Sequence, residues 1–512
     1  MIIFIHNNDK VLSITSTTDD KEILNPEISL SKTALFLAKN YPNELIFWCH
    51  KELQDFINYD SLPLIFHHKL IFASYHKAKY PLFSDAIGYV DETSYVAVNK
   101  KVKWATWIMS GCIGGINASV LNALSSEIKE DINFDYFLTS LARNAMKIGL
   151  ICNSQPNLLL EKSPEIVNKK TSNFILAKFI SQHFRIRWLF ILFLCKLIFE
   201  KKIFIFPVIR VAFNKNRILK EGLLKDVLVN STLQTSVTNE LDVIIPTIGR
   251  KKYLLDILND FASQSVVPKR IIIIEQNQEA NSTTDLDYLY NQQWPFEIIH
   301  KFINKTGACN ARNIAIDLVK SEWTFFADDD IRFNTTFIED VFTEIKKYQN
   351  EVFLISCLLE GEKNIFNTIQ QWDNFGAGCS FVKSSSLQNL KFNIKYEFGY
   401  CEDADFGSQL AQKGFDILFL PEPKILHLKA PIGGFRTKFQ HAWLQEIIQP
   451  KPFPTVMYFK LLNRTKQQLN GYKLLLFFKF YPLQEIKNPI KYFILLSKQW
   501  KKSKEIATKL LL

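Results

Sequence analysis

Three consecutive aspartates, Asp328, Asp329 and Asp330, directly follow the apolar run WTFFA at 323–327. Like charges side by side repel each other, so a positive partner is expected nearby. In a turn after a strand, one or two carboxylates can hold Mg²⁺ or Mn²⁺ and leave the other positions for phosphate oxygens and water. The predicted chemistry is therefore metal-assisted binding of a nucleotide diphosphate.

An isolated DDD would be interpreted as a solvated acidic loop, but two further features lie downstream. The segment EDADF at 402–406 is a second acidic cluster, and ILHL at 425–428 ends a predicted strand with the lone histidine His427. Two acidic clusters and a strand-end histidine in one domain favour a metal-dependent active site over a solvated loop.

The elements that must position these residues alternate between strand and helix. The segment 241–249, LDVIIPTIG, predicts a strand that enters a turn, and 252–265 has helical periodicity. The run RIIIIEQN at 270–277 suits a parallel strand covered on both faces. Alternation of this kind predicts the α/β class with a mostly parallel sheet. Ligands of such sheets bind beyond the carboxyl ends of the strands, where PTIGR and DDD lie.

Five motifs carry a resemblance to a known family. They are TIGR at 247–250, NKTGACNARN at 304–313, ADDDI at 327–331, EDADF at 402–406 and ILHL at 425–428. In this order and spacing they resemble family 2 glycosyltransferases with the GT-A fold, over about residues 240–430. The resemblance implies a GT-A-like, mostly parallel sheet with a Rossmann-like nucleotide-binding half.

The resemblance also assigns the reaction. Asp328 and Asp330 would bind the divalent metal, Mg²⁺ or Mn²⁺, with His427 as a third ligand, and Asp328 and Asp329 would contact the sugar nucleotide. The metal would act as a Lewis acid on the departing diphosphate. Asp403 matches the general base that deprotonates the acceptor hydroxyl, and a single base implies inversion at the anomeric carbon.

The remaining donor-binding predictions are Thr247 and Arg250 beside the nucleotide base and phosphates, Glu275 at the base or ribose, and Asn304, Gly307 and Arg312 in a loop close to the donor. Relatives more often carry an aspartate at the position of Glu275. The alternative for Arg312 is a structural pair with an aspartate across the sheet.

The predicted acceptor-binding residues are Trp372, Glu402 and Asp405. Trp372 would be a platform for a sugar face, with a core tryptophan as the alternative. Glu402 would hydrogen-bond the acceptor and Asp405 would cap or position the helix, the alternative being charges that only stabilise a helix N-terminus. Processive synthases of the family carry Gln-x-x-Arg-Trp after the base and several membrane spans. Here the segment is APIGGFRTKFQHAW and no span is predicted, so we expect a non-processive, bacterial-type enzyme.

The first 160 residues resemble this domain in divergent, truncated form. Cys49, His50 and Lys51 stand where the aspartates would be, and Phe134 stands at the position of Asp403. Chance similarity of two α/β segments is the alternative. The predicted division is a degenerate GT-A-like domain at 1–160, a helical and aromatic connector at 161–239, the catalytic domain at 240–430 and a basic helical region at 431–512.

Composition limits the compartment and the partners. The formal net charge of +11 arises in residues 451–512, which hold 13 lysines and arginines against two acids. Basic helices with apolar clusters can lie on an anionic membrane surface; a solvated helical tail is the alternative. No nucleic-acid-binding signature accompanies the charge. The apolar run 188–199 is too short to span a membrane.

Eight cysteines without a CxxC pair fit free thiols in a reducing cytosol. The N-terminus lacks the features of a signal peptide. We therefore predict a cytoplasmic protein, peripheral on the inner face of a membrane.

The function predicted from the sequence is an inverting, metal-dependent glycosyltransferase that moves a sugar from a nucleotide sugar to a glycan or lipid-linked glycan in surface polysaccharide biosynthesis. Two alternatives stay open. A sugar nucleotidyltransferase also uses an acidic metal site, but VIIPTIGRKKYL is a poor match to its glycine-rich loop. A non-catalytic carbohydrate-binding or scaffold protein would have no need to keep Asp328, Asp330, Asp403 and His427 together.

Overall fold

The chain folds into two compact units. The computed structural model describes residues 1–17, 21–24, 28–233, 237–279, 281–431 and 439–511. The N-terminal unit comprises 1–234, 412–414 and 464–480, and the C-terminal unit comprises 235–411, 415–463 and 481–512. The predicted division into four segments stays a prediction.

In the described part of the chain, the N-terminal unit contains an eight-stranded sheet and its helices. Its strands are β1 (Ile2–Asn7), β2 (Lys10–Ser16), β3 (Lys21–Glu22), β4 (Leu45–His50), β5 (Ile71–Tyr75), β6 (Trp104–Ala105), β7 (Ile113–Asn117) and β8 (Ile151–Ser154). Its helices up to residue 234 are α1 (Leu30–Asn40), α2 (Leu62–Ile65), α3 (Ala118–Leu124), α4 (Phe134–Ala145), α5 (Asn173–His183), α6 (Arg187–Glu200) and α7 (Ile205–Val211).

The C-terminal unit contains a nine-stranded sheet over its described residues. Its strands are β9 (Leu241–Thr247), β10 (Arg270–Gln276), β11 (Glu297–Ile303), β12 (Trp323–Ala327), β13 (Ile331–Arg332), β14 (Val352–Leu358), β15 (Gln370–Trp372), β16 (Cys379–Lys383) and β17 (Ile417–His427). The helices that follow in chain order are α8 (Lys251–Ala262), α9 (Tyr288–Asn291), α10 (Ala308–Ile316), α11 (Phe337–Tyr348), α12 (Glu402–Gln412), α13 (Pro454–Asn463), α14 (Lys466–Phe480) and α15 (Pro489–Leu511). Of these, α14 belongs to the N-terminal unit.

The C-terminal sheet is mostly parallel, which confirms the predicted α/β class. Its order is β11-β10-β9-β12-β16-β14-β17-β13, and β15 also pairs with β17. Strands β11, β10, β9 and β12 are mutually parallel, β16 runs antiparallel between β12 and β14, and β14 is parallel to β17. The carboxyl ends of β9, β10, β12 and β17 therefore share one edge, where the motif residues collect.

Aromatic packing holds this sheet against its helices. Phe325 on β12 is fully buried and stacks on Phe381 of β16 with ring centroids 4.5 Å apart. On the other face Phe326 packs against Phe406 of α12, 6.1 Å away. Because adjacent strand residues point to opposite faces, these two phenylalanines anchor both layers directly before the aspartates. The packing of Phe325 and Phe326 therefore fixes the start of the turn that carries the three aspartates.

The N-terminal sheet repeats part of the C-terminal one. Its order is β3-β2-β1-β4-β7-β5-β8-β6. Strands β1, β4, β7, β5, β8 and β6 have the neighbours and directions of β9, β12, β16, β14, β17 and β15. Where the C-terminal unit has the parallel strands β10 and β11, the N-terminal unit has the antiparallel strands β2 and β3. This is the truncated, divergent form that the sequence predicts.

One residue-level expectation for this repeat is wrong. Phe134 was predicted at the position of Asp403, but Phe134 is the first residue of α4 and Asp403 is the second residue of α12. The second residue of α4 is Asp135. It accepts a hydrogen bond from the amide of Gly111, two residues before β7, as Asp403 accepts one from Ala377, two residues before β16. Asp135 is therefore the counterpart of Asp403, because the two helices start one residue out of the expected register.

The apolar run 188–199 forms most of α6, which has Leu192 and Cys195 fully buried. In the parts of the chain that the structure describes, no helix combines the length and apolar character needed to cross a membrane.

The N-terminal sheet yields a stability prediction at Gly114 of β7. A Cβ there would lie 2.6 Å from the Ala73 carbonyl oxygen and 2.7 Å from the Trp48 ring. Because backbone cannot move aside cheaply, G114A should lower the free energy of unfolding of this unit by about 1–3 kcal/mol. The control is G115A, whose Cβ would meet only side chains at 3.0–3.3 Å. Urea unfolding curves measure both; equal stability of G114A and the wild type would contradict the strand packing described.

Candidate active site

The three aspartates face cationic side chains from different elements. Arg312 of α10 donates from Nη2 to Asp328 Oδ1 at 3.1 Å. Arg250, which directly precedes α8, donates to Asp329, and Thr247 Oγ1 donates to the other oxygen of Asp329 at 2.6 Å. Thr247, Arg250, Arg312, Asp328 and Asp329 thus lie together, and the pair of Arg312 with Asp328 agrees with the alternative weighed for Arg312, a structural pair with an aspartate. The predicted positive partner of the aspartates is present.

Asp330 is held by the end of β17. Its Oδ1 lies 3.4 Å from His427 Nε2, and its Oδ2 accepts the amide hydrogen of Ala430 at 2.8 Å and lies 3.4 Å from Arg250 Nη1. Strand β13 pairs with β17 so that Ile331 faces His427, which fixes this approach. Asp330 and His427, which are 97 residues apart in the sequence, therefore lie side by side.

Burial and hydrogen bonding divide the acids into two kinds. Burial opposes ionisation of Asp330, but hydrogen bonds from His427 and Ala430 and the charge of Arg250 outweigh it and lower its pKa. The hydrogen bond to Asp330 raises the pKa of His427. Asp329 is 2% exposed, and burial raises its pKa to about 6 despite Arg250 and Thr247. Asp330 is therefore the most strongly ionised member of this pair of acids.

Asp403 has one carboxylate oxygen without a hydrogen-bond partner in the part of the chain that the structure describes. Its Oδ2 accepts from the amide of Ala377 at 3.2 Å, while Oδ1 is buried and has no hydrogen-bond partner among the described residues. Burial raises the pKa of Asp403, although the charge of Arg312 opposes the increase. Burial and the neighbouring Asp403 raise the pKa of Glu402 to about 7. A buried carboxylate with a raised pKa and an unused oxygen is suited to accept a proton.

Asp405, two residues further along α12, has a different environment. It is 5% exposed and accepts hydrogen bonds from Tyr396 Oη at 3.1 Å, Gln409 Nε2 at 2.9 Å and Asn463 Nδ2 at 3.4 Å. These protein donors engage both of its oxygens. Of the roles weighed for Asp405, positioning of the helix is the one that its contacts favour.

The other predicted donor residues lie at the ends of β10 and β11. Glu275 is buried beside Thr247 on β9 and is bonded to His300 Nε2 at 2.9 Å. Asn304 follows β11 and donates to the carbonyl of Glu279 at 2.9 Å. Gly307 directly precedes α10 and has φ +148°, a conformation that favours glycine. All three lie on the edge of the sheet that carries the aspartates.

Trp372 is not brought to this edge. It lies on β15 opposite Ile417, the first residue of β17, whereas the aspartate partner His427 is the last residue of that strand. At about 3.3 Å per residue the two ends are roughly 30 Å apart. Its ring packs against Phe366 and Phe419 at 5.5 Å each. Of the two roles weighed, the packed core tryptophan agrees with this position.

Two residues that the motifs did not single out organise the loop before α10. Glu397 accepts hydrogen bonds from the amides of Cys309 and Asn310 at the start of α10, and Gln276 Oε1 accepts from the amide of Gly307 at 2.6 Å. Gln276 follows Glu275 at a strand end, so its position was a usable signal. Glu397 is 88 residues from Cys309 and 87 residues from Asn310 in the sequence, and no local sequence pattern marks it.

The predicted metal ligands are assembled in part. Asp330 and His427 are paired, but Asp328 is turned toward Arg312, and in the described residues no three His, Cys, Asp or Glu side chains converge as a metal site. Carboxylate oxygen and imidazole nitrogen are ligands that Mn²⁺ accepts, and carboxylates suit Mg²⁺. The donor types fit such an ion, with Asp330 and His427 as the residues already in place.

At its carboxyl edge the mixed α/β sheet thus brings together paired acids and cations and a carboxylate with one oxygen that is unpartnered among the described residues. Residues 242–404 match the family model "Glycosyl transferase family 2". The chain is thus a glycosyltransferase whose segment 242–404 belongs to family 2.

Known proteins agree with this assignment. Glycosyltransferase GlyG of Streptococcus pneumoniae serotype 4 is 24% identical over 233 residues, which is 41% of this chain and 77% of GlyG. The poly(ribitol-phosphate) beta-N-acetylglucosaminyltransferase TarS of Staphylococcus aureus is 23% identical over 117 residues, 23% of this chain and 20% of TarS. The chain thus spans only a fifth of TarS.

Two solved structures resemble the fold more distantly. S. aureus TarS 1–349 in complex with UDP-GlcNAc has a TM-score of 0.34 at 17% identity, covering 46% of this chain and 70% of that one. GalNAc-T7 with UDP, GalNAc and Mn²⁺ has a TM-score of 0.32 at 12% identity, covering 41% and 46%. The family assignment depends on the sequence match, not on these superpositions.

The contrast between Asp403 and Asp405 predicts opposite effects on stability at pH 7. In D403N the neutral amide replaces a buried carboxylate that lacks a full set of partners, so the free energy of unfolding should rise by about 1 kcal/mol. D405N is the matched control on the same helix; it weakens bonds from three donors and should lower stability by about 1–3 kcal/mol.

The gain in D403N should depend on pH. A carboxyl whose folded pKa lies above its unfolded value of about 4 is neutral in both states below that value, so the two proteins should be equally stable there. The difference should develop as pH rises from the unfolded value to the raised folded pKa of Asp403, and stay constant above it. Thermal unfolding at several pH values measures this difference. If D403N were less stable than the wild type at pH 7, the Asp403 carboxylate would not lower the free energy of unfolding, contrary to the prediction.

Proposed function

We propose that this chain is an inverting, metal-dependent glycosyltransferase that transfers a single sugar from a nucleotide sugar to an acceptor hydroxyl. The observation that carries the proposal is the buried Asp403 carboxylate, with Oδ1 unpartnered among the described residues, in a family 2 domain beside the aspartate turn. Such an oxygen can first accept a hydrogen bond from an incoming hydroxyl group and then accept the proton of that hydroxyl.

The donor is proposed to bind along the carboxyl edge of the sheet. Thr247 and Glu275 end the neighbouring strands β9 and β10, where a nucleoside would lie. Arg250 and Arg312 each bond an aspartate and can turn to diphosphate oxygens, because guanidinium groups bind phosphate in two-point fashion. In the family 2 relative TarS, the name specifies N-acetylglucosaminyl transfer, which supports a nucleotide sugar as donor.

The metal is proposed to be held by Asp330 and His427, with Asp328 joining on release from Arg312. When bound, Mg²⁺ or Mn²⁺ would offset the negative charge that develops on the departing diphosphate. The chain's own part is to keep Asp330 ionised, which the bonds from His427 and Ala430 do.

The acceptor is proposed to approach α12. Glu402, whose pKa is raised to about 7, can donate or accept a hydrogen bond at neutral pH, and it lies next to Asp403. Asp405 keeps this end of the helix in place through Tyr396 and Gln409. The name of TarS places its acceptor among polyol phosphate polymers, which supports a surface glycan or lipid-linked glycan as the acceptor class here.

Transfer and donor binding should separate in two variants. D403N should lose at least about a hundredfold in transfer, because the base is removed, yet keep a melting-temperature increase from UDP-GlcNAc or another UDP-sugar with Mn²⁺. D330N should lose the Mn²⁺-dependent part of that increase, and EDTA should abolish it in the wild type. Product formation by mass spectrometry and thermal shift measure these effects.

Two outcomes would overturn the proposal. Full transfer by D403N would remove the base assignment. No melting-temperature change of the wild type with any nucleotide sugar and Mn²⁺ would favour a non-catalytic protein that shares the fold.

We further propose that the protein is peripheral on the cytoplasmic face of a membrane. The apolar side chains of the connector segment 203–213 are largely exposed, with Phe206 82% and Phe213 93% exposed. Lys201, Lys202, Arg210 and Lys215 flank them without an intervening acid. An apolar, cationic segment of this kind binds anionic lipid surfaces. The eight cysteines are all free thiols, as expected in a reducing compartment.

The basic tail is proposed to add to this contact only at its exposed side. In α15, Tyr492, Leu496 and Trp500 are buried, whereas Ile490, Phe493, Ile494 and Leu511 are exposed. Much of the apolar surface of α15 is therefore used in packing. The sequence pattern favoured the tail as the membrane contact, whereas in the structure segment 203–213 is the stronger candidate.

Vesicle binding tests this contact. F206E/F213E should lower co-sedimentation with phosphatidylglycerol-containing vesicles several-fold, and I490E/I494E should lower it less, because fewer apolar side chains are free there. L64E, at another exposed leucine of the N-terminal unit, should bind like the wild type. Unchanged binding of both double variants would rule out these two segments as the membrane contact.

A further inference from the structure

The carboxyl edge of the N-terminal sheet carries a polar cluster at the place that the active site occupies in the C-terminal unit. His6 is the penultimate residue of β1, His50 ends β4 and His76 follows β5. They surround the segment before β7: His6 Nε2 lies 2.8 Å from the carbonyl oxygen of Gly111, and His76 Nδ1 lies 3.3 Å from Ser110 Oγ. The rings of His6 and His50 meet edge to face at 5.4 Å.

Asp135 stands in this cluster as Asp403 stands in the active site. Both are the second residue of the helix that precedes the last parallel strand, and both accept the amide hydrogen two residues before the antiparallel strand. Burial raises the pKa of Asp135 as it raises that of Asp403. The N-terminal unit has therefore kept the carboxylate that faces the acceptor in the proposed reaction.

His50 takes the place of Asp328. Cys49 pairs with the first residue of β7, as Ala327 pairs with the first residue of β16. The residue after Cys49, His50, is therefore equivalent to the residue after Ala327, Asp328. His50 is 4% exposed, and its Nδ1 accepts the amide hydrogen of Glu52 at 3.3 Å. The hydrogen of the neutral ring is then on Nε2, which is buried and has no partner among the described residues. A buried donor without an acceptor points to a group that the protein itself does not supply.

The donor half of the site is missing from this unit. The strands β10 and β11, whose ends carry Glu275 and Asn304 in the C-terminal unit, are replaced by β2 and β3, which run antiparallel. No group of three metal-ligating side chains converges in the described residues. A nucleotide diphosphate with its metal therefore has no counterpart site here, whereas the acceptor side of the arrangement is present.

We propose that His50, His76 and Asp135 form a second saccharide-binding site, which takes an uncharged sugar unit of the acceptor glycan without a metal. The proposal rests on the proposed function, because it extends the acceptor role of Asp403 to its counterpart. Asp135 accepts hydrogen bonds from sugar hydroxyls, His50 Nε2–H donates to a sugar oxygen, and His76 Nε2, also buried and unpartnered among the described residues, supplies a third polar contact.

The charge of the cluster favours a neutral ligand over a phosphate. Burial lowers the pKa of His6 and of His76 to about 4, so neither ring is charged at neutral pH. Asp135 is the carboxyl group of the cluster, and burial raises its pKa, although the hydrogen bond from Gly111 opposes the increase. Lys51 and Lys100 act on the cluster electrostatically, but both are exposed to solvent. A phosphate would meet the carboxylate without a buried cation to offset it.

Two near-isosteric variants of the full chain test the site. In D135N the amide oxygen can still accept the Gly111 hydrogen, but the carboxylate is lost. In H50N the Asn oxygen can replace Nδ1 as acceptor for Glu52, while the Nε2–H donor is lost. The probes are methyl β-D-glucopyranoside, methyl β-D-galactopyranoside and methyl N-acetyl-β-D-glucosaminide, read by saturation-transfer NMR in EDTA. D403N, which leaves this cluster unchanged, is the matched control.

We expect saturation transfer to at least one probe from the wild type and from D403N, reduced about fivefold or more in D135N and in H50N. The proposal would be overturned if the wild type showed no saturation transfer to any probe, or if saturation transfer were unchanged in both D135N and H50N. The thermal shift from the UDP-sugar and Mn²⁺ is measured on the same protein preparations without EDTA, and it reports on the catalytic unit alone. Absence of the thermal shift in the wild type would count against the proposed function. If D135N kept the thermal shift but lost saturation transfer to the probes, the lost binding would be assigned to the second site.

Discussion

The C-terminal unit is organised around the repulsion of three adjacent aspartates. Each is held by a different set of groups: Asp328 by Arg312, Asp329 by Arg250 and a hydroxyl, and Asp330 by a histidine and a backbone amide. Because these partners come from α10, from the turn before α8 and from the end of β17, the aspartate turn links elements that are distant in sequence. The site therefore exists only when the whole sheet is assembled.

The same electrostatic balance explains how the site is prepared for chemistry. Arginines that pair with the aspartates in the absence of ligand are suited to transfer to phosphate oxygens, and the acids they leave are suited to a divalent cation. Asp403 stands apart from this exchange, since the Ala377 amide holds only one of its oxygens. In the proposed reaction Asp403 is the base, and its incomplete set of hydrogen-bond partners would cost stability.

The two units show what happens to this arrangement when its parts are lost separately. The N-terminal sheet keeps strand order and direction across six strands and keeps a carboxylate, Asp135, at the start of the corresponding helix. It has a histidine, His50, where the first aspartate would be, and the antiparallel strands β2 and β3 where the C-terminal unit has the parallel strands β10 and β11. Retention of the acceptor side without the donor side is the pattern expected of a domain that binds glycan but does not transfer sugar.

Sequence alone determined the class of the C-terminal unit, because period-2 and helical patterns alternate and the motif residues fall at strand ends, where a parallel sheet collects them. The positioning role that the sequence favoured for Asp405 agrees with its donors, which include the distant Asn463. The sequence could not place Trp372, because the strand of Trp372 meets the opposite end of β17. It also missed Asp135, because the start of a helix shifts by one residue without changing the pattern. Long-range hydrogen bonding and strand register decided these points, and neither is encoded locally.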